Sequence, residues 1–257
     1  MLIILPAYNE GNNLANMLPQ LIERYNVLVI DDGSTDNTAS VAKAMGANVI
    51  IHPTNKGLGR SLYDGFVWAA KNNEDVIITM DADNTMDTSL IPQMADLVKN
   101  GFDLVIASRY QKGAVVENVP AYRKVMSITA SYICRAAFKL PVNDYSSGYR
   151  AYSGKAVKKA IKHYGWGFIT SSGFDCQIEI LRKLKPFITN ACEIPIRLDY
   201  APKAGHSSFN FGKTLKGYSK QLVYAVKERF RKSQSAQSRK VSHLSANAST
   251  KGGKNAV

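Results

Sequence analysis

The chain has 257 residues, of which 45% are hydrophobic, and a formal net charge of +13. This length supports one substantial core with a small appendage. No window approaches the ~20 consecutive apolar residues of a membrane-spanning helix. The first residues lack the basic lead and apolar stretch of a signal peptide, so a cytoplasmic protein is expected. The cysteines Cys134, Cys176 and Cys192 show no CxxC spacing, which favours reduced, buried thiols.

The positive charge is concentrated near the C-terminus. Residues 227–257 contain eight Lys and Arg against one acid, Glu228. Residues 231–257 are also rich in Ser, Ala, Gly and Asn, and such a segment cannot bury enough apolar surface to fold. We therefore predict a disordered basic tail at 231–257, suited to anionic lipid headgroups or nucleic acid. The rest of the chain shows no nucleic-acid recognition motif, so no specific nucleic-acid partner is expected.

The first 110 residues alternate between short apolar runs and segments of helical periodicity. In chain order, strands and helices are predicted in turn at 2–5, 12–24, 27–30, 38–45, 48–51, 58–71, 76–80, 90–99 and 104–107. This alternation indicates βαβ units, hence an α/β fold with a mostly parallel sheet flanked by helices. Ligands bind outside the carboxyl ends of such strands. The polar residues after each strand are therefore the candidate site residues.

The alternation ends after residue 110. The predicted elements are then a helix at 120–138, a turn into an aromatic strand at 144–152, helices at 155–163 and 175–184, a strand at 191–196, a loop at 200–213 and a helix at 214–230. The helices at 120–138 and 214–230 are amphipathic with basic flanks, so they could lie at a membrane interface. We expect one domain over 1–213, with halves 1–110 and 111–213, followed by the amphipathic helix and the tail.

Acidic side chains follow three of the predicted strands. Glu10 follows the first, Asp31 and Asp32 the second, and Asp81 and Asp83 the fourth. So many carboxylates at one edge repel one another unless positive charge lies among them. Because residues two apart in an extended segment point the same way, the carboxylates of Asp81 and Asp83 should converge. Carboxylate oxygens suit Mg²⁺ or Mn²⁺, which also bind substrate phosphates. The pair Asp81 and Asp83 therefore predicts a divalent cation with a diphosphate.

Four polar motifs occur in order along the first half of the chain. They are Pro6-Ala7-Tyr8-Asn9-Glu10, Asp31-Asp32-Gly33-Ser34-Thr35-Asp36, Asn55-Lys56-Gly57-Leu58-Gly59 and Asp81-Ala82-Asp83. Together they resemble the motifs of the family 2 glycosyltransferases, which have the Rossmann-like GT-A fold. The resemblance extends from Leu2 to about Phe211 and is greatest to the dolichyl- or polyprenyl-phosphate mannosyl- and glucosyltransferases.

The resemblance implies that residues 1–110 bind a nucleotide sugar and residues 111–213 the acceptor. The implied donor-binding residues are Pro6, Tyr8, Glu10, Asp31, Asp32, Lys56, Asp81, Ala82 and Asp83. Asp83 is also expected to be catalytic, and Asp81 and Asp83 to hold Mg²⁺ or Mn²⁺. The branch often has Gln two positions after the second Asp as a further metal ligand. Here Thr85 stands there and is expected to ligate through its hydroxyl or through water.

The second half supplies cations at several points. Arg109 follows the fifth strand, Arg123 and Ser127 share one helix face at i, i+4 spacing, Arg150 closes a turn and Lys203 lies in a Gly/Ser loop. By the resemblance, Arg109, Arg123 and Ser127 surround an acceptor phosphate and act in catalysis. Arg150 and Lys203 are expected to add contacts, Lys203 standing where the branch tends to have Arg. A phosphate monoester has a second pKa of ~6, so it attacks as an oxyanion without a general base.

The expected function is inverting transfer of a hexose from a GDP-mannose- or UDP-glucose-type donor to polyprenyl or dolichyl phosphate. The enzyme would associate peripherally with the cytoplasmic face of the membrane, with or without a separate membrane anchor protein. The alternative is transfer to a sugar hydroxyl in cell-envelope polysaccharide synthesis, with Asp144 or Asp175 as general base and Glu179 as a weaker candidate. The four histidines, which include His52, have no partner at triad or ligand spacing and are expected to be surface or packing residues.

Overall fold

The computed structural model describes residues 1–117, 121–138, 140–199 and 216–224, apart from the side chains of residues 121–127, 130 and 199. Several sequence predictions lie outside the described residues: the loop at 200–213 with Lys203, both ends of the helix at 214–230, and the tail at 231–257. The predictions for the side chains of Arg123 and Ser127 lie outside them too, although both residues belong to a described helix.

The strands lie close to their predicted positions in the first half of the chain. They are β1 (Leu2–Ala7), β2 (Asn26–Asp31), β3 (Asn48–Ile51), β4 (Val76–Thr79), β5 (Leu104–Ser108), β6 (Val115–Glu117), β7 (Arg150–Ser153), β8 (Ala191–Pro195) and β9 (Arg197–Asp199). Seven of them form one sheet in the order β3-β2-β1-β4-β7-β5-β8, and β6 pairs with β9. Five of these strands, β1 to β5, were predicted from the pattern of the first 110 residues.

The helices cover both faces of the sheet. They are α1 (Gly11–Ile22), α2 (Thr38–Ala44), α3 (Leu58–Lys71), α4 (Ile91–Lys99), α5 (Ala121–Phe138), α6 (Gly154–Tyr164), α7 (Cys176–Leu184) and α8 (216–224). Along β1, Leu2 and Ile4 belong to one buried apolar cluster, whereas Ile3 and Leu5 belong to the other. A strand that is apolar on both sides is typical of a sheet covered by helices on each face. The mostly parallel α/β architecture is confirmed.

The position of β7 could not be read from local patterns. This strand runs antiparallel between β4 and β5, and Arg150 pairs in register with Thr79 on one side and Ile106 on the other. Because β7 runs against its neighbours, the turn that precedes it lies at the edge where β4 and β5 end. Topology therefore brings residues 144–149 between the acidic segment after β4 and Arg109 after β5.

Two features bear on solvent and membrane exposure. Among the described residues, no helix is long and apolar enough to cross a bilayer. Helix α5 nevertheless exposes three large apolar side chains, Ile128, Tyr132 and Ile133. The predicted burial of thiols is confirmed for Cys134 and Cys176, both of which are free.

Candidate active site

The loops after β1 and β2 interlock at the carboxyl edge of the sheet. Asn9 adopts a positive φ of 58°; its N–H donates to Ser34 Oγ at 2.9 Å, and its Oδ1 accepts from the N–H of Thr35 at 2.8 Å. The N–H of Glu10 donates to Thr38 Oγ1 at 2.9 Å. The two loops are thus fixed against each other before any ligand binds, as a preorganised site requires.

The predicted donor-binding residues differ in exposure. Tyr8 is 44% exposed, and Pro6 and Glu10 are half-buried. Asp31 is buried, and its Oδ1 accepts from the N–H of Ser34 at 2.9 Å. Tyr8 therefore offers an open aromatic surface at this edge, whereas Asp31 also shapes its own turn.

Asp32 faces inward in this structure. The residue is 4% exposed, and its carboxylate accepts from the N–H groups of Lys56 at 2.9 Å and Gly57 at 2.7 Å. Its Oδ1 also lies 2.6 Å from His52 Nδ1. Asp32 therefore holds the loop that carries the exposed Lys56, a role the sequence did not indicate.

The sequence prediction for His52 was incomplete. It is a buried residue, as a packing histidine would be, but its two ring nitrogens face the carboxylates of Asp32 and Asp64. No spacing rule could have found this contact, because the two acids lie on different elements and come together only through the fold.

The segment after β4 forms a tight acidic turn. Asp83 is 7% exposed, and its Oδ1 accepts from Thr85 Oγ1 at 2.6 Å. Asn84 between them has a positive φ of 61°, which Asn tolerates better than most residues. Ala82 is packed in the core, while Asp81 is half-buried. The hydroxyl of Thr85, predicted as a ligand, is directed at Asp83 and orients that carboxylate.

The residues around Asp81 fit a phosphate-bound divalent cation. A Cβ added to Gly148 would lie 3.3 Å from Asp81 Oδ1 and 3.2 Å from Gln177 Nε2, so the missing side chain leaves room beside both groups. Gln177 is 3% exposed, and its Oε1 has no hydrogen-bond partner among the described residues. The described part of the chain contains no preformed group of three metal ligands from His, Cys, Asp and Glu. Mg²⁺ needs fewer, because substrate phosphates and water complete its shell.

Arg109 is fixed at the end of β5 by a buried carboxylate. Its Nε donates to Asp144 Oδ2 at 2.8 Å, its Nη2 to Asp144 Oδ1 at 2.6 Å and its Nη2 also to Ser146 Oγ at 2.6 Å. Burial by itself would raise the pKa of the fully buried Asp144. The charge of Arg109 and the hydrogen bonds from Arg109 and Ser147 outweigh it and hold the pKa of Asp144 below its usual value. Asp144 is therefore committed to Arg109 and is a poor general base.

Glu179 is committed in a similar way. It is 1% exposed; its Oε2 accepts from the N–H groups of Thr170 and Ser171 at 3.0 and 2.8 Å, and Lys183 forms an ion pair with Oε1. Burial tends to raise its pKa, but these hydrogen bonds and the Lys183 charge lower it overall. The Ser171 segment also packs on α3, where a Cβ at Gly59 would lie 1.7 Å from Ser171 O. Glu179 thus supports a loop instead of facing a substrate.

Arg150 lies in the core, which differs from the expectation that it faces an acceptor phosphate. The side chain is fully buried; its Nη1 donates to Gln177 O at 2.9 Å and its Nη2 to Tyr145 O at 2.8 Å. The reason is topological, because β7 is an interior strand and α7 packs over this part of it. In this conformation Arg150 joins β7 to α7 and to the turn at Tyr145.

Helix α8 packs over the acceptor side of the edge. Tyr218 is half-buried near Arg109 and hydrogen-bonds Ser146, and its removal from solvent raises its pKa. A Cβ at Gly217 would lie 2.7 Å from Asp175 Cβ, so this helix approaches the start of α7 closely. Asp175 is half-buried. Neither Tyr218 nor this contact had a sequence signal, since α8 is distant in sequence from Ser146 and Asp175.

The chain matches one known protein family and is similar to several named proteins. The family model described as glycosyl transferase family 2 matches residues 2–161. The chain is 31% identical over 204 residues to a polyprenol monophosphomannose synthase of Mycolicibacterium smegmatis, covering 76% of each chain. It is 34% identical over 180 residues to an undecaprenyl-phosphate mannosyltransferase of Micrococcus luteus, covering 65% of this chain and 74% of the relative. It is 32% identical over 238 residues to a dolichol-phosphate mannosyltransferase of Pyrococcus furiosus, covering 88% and 63%.

Solved structures support the fold. A glucosyl-3-phosphoglycerate synthase of Mycobacterium tuberculosis, solved with Mn²⁺, uridine diphosphate and phosphoglyceric acid, superposes with a TM-score of 0.60 at 18% identity. The match covers 89% of this chain and 77% of that one. The same synthase was also solved with Mg²⁺ and uridine diphosphate. At this identity the likeness establishes the GT-A-like fold.

A mostly parallel, GT-A-like sheet with acidic side chains after its strands is the architecture of a glycosyltransferase. The chain belongs to glycosyl transferase family 2. It is a glycosyltransferase, and the curated relatives named above are polyprenyl-phosphate mannosyltransferases.

Proposed function

We propose that this chain transfers a hexose from a nucleotide sugar to the phosphate of a polyprenyl phosphate. The observation that carries the proposal is the likeness to three transferases whose names each specify mannose and a polyprenol, undecaprenyl or dolichol phosphate. These names favour a mannose donor of the GDP-mannose type over one of the UDP-glucose type. The likeness covers the edge of the sheet at which the acidic strand ends meet.

On the donor side, the interlocked loops after β1 and β2 would bind the nucleoside. Tyr8 presents an exposed ring there, and Lys56 extends from the loop that Asp32 anchors. Asp81 and Asp83 would hold Mg²⁺ or Mn²⁺, and the amide of Gln177 lies near Asp81 across Gly148. A bound divalent cation supplies the positive charge that neutralises a departing nucleoside diphosphate.

On the acceptor side, a phosphate nucleophile is favoured because two candidate general bases are engaged in hydrogen bonds within the protein. A sugar hydroxyl requires a general base, whereas a phosphate monoester is already an oxyanion near neutral pH. Asp144 and Glu179, both considered as bases, are buried and engaged in internal hydrogen bonds. Arg109 would balance charge beside the attacking phosphate, and the family resemblance adds Arg123 and Ser127 to the phosphate-binding residues. Attack opposite the leaving diphosphate inverts the configuration at the anomeric carbon.

The proposal includes peripheral attachment at the cytoplasmic face of a membrane. Helix α5 exposes Ile128, Tyr132 and Ile133, and an apolar helix face of this kind can lie in the headgroup region. The basic residues at 227–257 would add attraction to anionic lipid. A separate membrane protein could add a further anchor.

The test uses the purified full-length chain with Mg²⁺ or Mn²⁺ and radiolabelled GDP-mannose or UDP-glucose. Undecaprenyl phosphate is compared with undecaprenol, which has the same lipid without the phosphate. Label should enter the lipid only with the phosphate acceptor and only with a divalent cation. Asp83→Asn should reduce turnover by ~100-fold, because a cation ligand is lost. Equal labelling of undecaprenol, or full activity in chelator, would contradict the proposal.

The second candidate is transfer to a sugar hydroxyl with Asp175 as general base. The observation in its favour is that Asp175 is half-buried at the start of α7, beneath Gly217 of α8. Asp175→Asn separates the two candidates within the same assay. Unchanged turnover supports the phosphate acceptor, and near-total loss supports a hydroxyl acceptor.

A further inference from the structure

His52 bridges two carboxylates beneath the loop of the donor side. Its Nδ1 lies 2.6 Å from Asp32 Oδ1 and its Nε2 lies 3.0 Å from Asp64 Oδ2. The imidazole is 3% exposed. Arg60, one turn before Asp64 on α3, donates its Nε to the same Oδ2 at 2.7 Å. A continuous series of polar side-chain contacts thus runs from the end of β2 through His52 to α3.

The hydrogen bonds that Asp32 accepts connect His52 to the loop at residues 55–57. A carboxylate accepts hydrogen bonds, and the Nδ1 of histidine can donate one to it. Asp32 also accepts from the N–H groups of Lys56 and Gly57. The orientation of its carboxylate therefore determines where residues 55–57 lie, and His52 Nδ1 is one of the three donors that fix it.

The loop itself needs such an anchor. Gly57 adopts a φ of +90°, and a Cβ there would lie 2.3 Å from Ser172 O. Residues 53–56 are exposed, so apolar packing contributes little to their position. Buried charge-assisted hydrogen bonds are stronger than neutral ones, and the carboxylate of Asp32 accepts two such bonds from the main chain of this segment.

We propose that His52 is a positioning residue for the nucleotide-sugar site. It orients Asp32, and through Asp32 it places Lys56 toward the donor; the contact with Asp64 fixes the ring to α3. This inference rests on the proposed donor-binding role of the strand edge. It assigns Asp32 an indirect part in donor binding, through the main chain of Lys56 and Gly57.

Two substitutions of His52 test its contacts with Asp32 and Asp64 separately. In His52→Asn the side-chain amide stands near the position of Nδ1 and keeps the contact with Asp32. In His52→Gln it stands near the position of Nε2 and keeps the contact with Asp64. Isothermal titration calorimetry with GDP and with UDP, each with Mn²⁺, gives the affinity of the donor side, and thermal unfolding gives stability.

We expect His52→Gln to weaken binding of the preferred nucleoside diphosphate about tenfold, as loss of one buried charge-assisted hydrogen bond implies. His52→Asn should stay within about threefold of the wild type. In the transfer assay, His52→Gln should raise KM for the nucleotide sugar and leave kcat nearly unchanged. Amide hydrogen exchange at Lys56 and Gly57 should accelerate only in His52→Gln.

Equal effects of the two substitutions, or a loss of stability without a change in nucleotide affinity, would overturn the proposal. So would a wild-type chain that binds neither GDP nor UDP. Asp32→Asn is the second variant should His52→Gln fail to fold, and it should weaken nucleotide binding because it removes an acceptor from the same loop. Calorimetry needs no lipid acceptor, so failure of lipid transfer alone contradicts the proposed function and leaves the role of His52 standing.

Discussion

Asp144 is the residue whose environment explains most about the acceptor side. A buried carboxylate costs free energy unless it is paired and hydrogen-bonded. Here the pairing partner is Arg109, whose two donor atoms meet the two oxygens of Asp144. The planar fork of arginine suits this geometry better than lysine would. A cation is thereby held in one orientation at the end of β5.

The stability of the fold should depend on this pair in acid. The folded-state pKa of Asp144 is lowered, so its contribution is present above the unfolded pKa, near 3.8, and disappears as pH falls through the folded value. Asp144→Asn should lower the free energy of unfolding at pH 7 by about 3 kcal/mol, because the charge of Arg109 loses its buried partner. The acid dependence of the variant should be flatter than that of the wild type.

Urea unfolding followed by tryptophan fluorescence between pH 7 and pH 3 measures both effects. Asp96→Asn is the matched control, since Asp96 forms an exposed pair with Lys99 and such pairs contribute little. A parallel loss of stability in both variants, or an unchanged acid dependence in Asp144→Asn, would show that the pair is not the cause.

Among the elements, β7 decides how the two halves of the site meet. Its antiparallel insertion between β4 and β5 places the turn at 144–149 between the acidic segment and Arg109. Gly148 in this turn lies against Asp81 and Gln177. A parallel strand at this position would have carried the turn to the opposite edge of the sheet.

Gly148→Ala should therefore impair the cation site without unfolding the protein. The added Cβ would lie 3.2 to 3.3 Å from Gln177 Nε2 and Asp81 Oδ1, so both groups must shift by a few tenths of an ångström. We expect kcat/KM to fall about tenfold, because small displacements of reacting groups are costly. Titration with Mn²⁺ at fixed nucleotide should show a matching loss of metal affinity.

Gly167→Ala is the matched control for Gly148→Ala. Among the described residues other than its chain neighbours, no atom lies within 4 Å of the Cβ that it would add, so activity and metal affinity should remain those of the wild type. Wild-type metal affinity in Gly148→Ala would mean that Asp81 and Gln177 do not take part in cation binding.

For the molecule as a whole, charge distribution sets the expected contact with the membrane. Residues 231–257 contain six Lys and Arg and no acid. Each cation close to an anionic surface contributes up to about 1 kcal/mol of attraction, which salt screens. Replacing the six cations with Gln should weaken binding to vesicles containing phosphatidylserine and should reduce its salt dependence.

Vesicles of phosphatidylcholine alone are the control for this charge effect. Transfer to a short-chain, water-soluble polyprenyl phosphate should be unchanged by the six replacements, since they leave residues 1–230 unaltered. Equal binding of both proteins to anionic vesicles in a co-sedimentation assay would assign membrane contact to the helices alone.

Local patterns were sufficient for much of the first half of the chain. The predicted strand at 48–51 and helix at 58–71 coincide with β3 and α3, because burial periodicity and turn residues act over short distances. The short strands β6 and β9, of three residues each, were not predicted, since so few residues carry no periodicity. The antiparallel place of β7 was not predicted either, because strand order depends on contacts between distant segments.

For the candidate site, too, some features were indicated by the sequence and others depended on the tertiary structure. That the acidic residues follow successive strands is a property of the sequence, and so is the family to which the motifs point. The engagement of Asp32 by His52, the pairing of Asp144 with Arg109 and the burial of Arg150 were decided by the tertiary structure. Hydrogen bonds and desolvation act between groups tens of residues apart in the chain. Which charged side chain faces a ligand and which supports the fold is therefore settled only when the strands have taken their order.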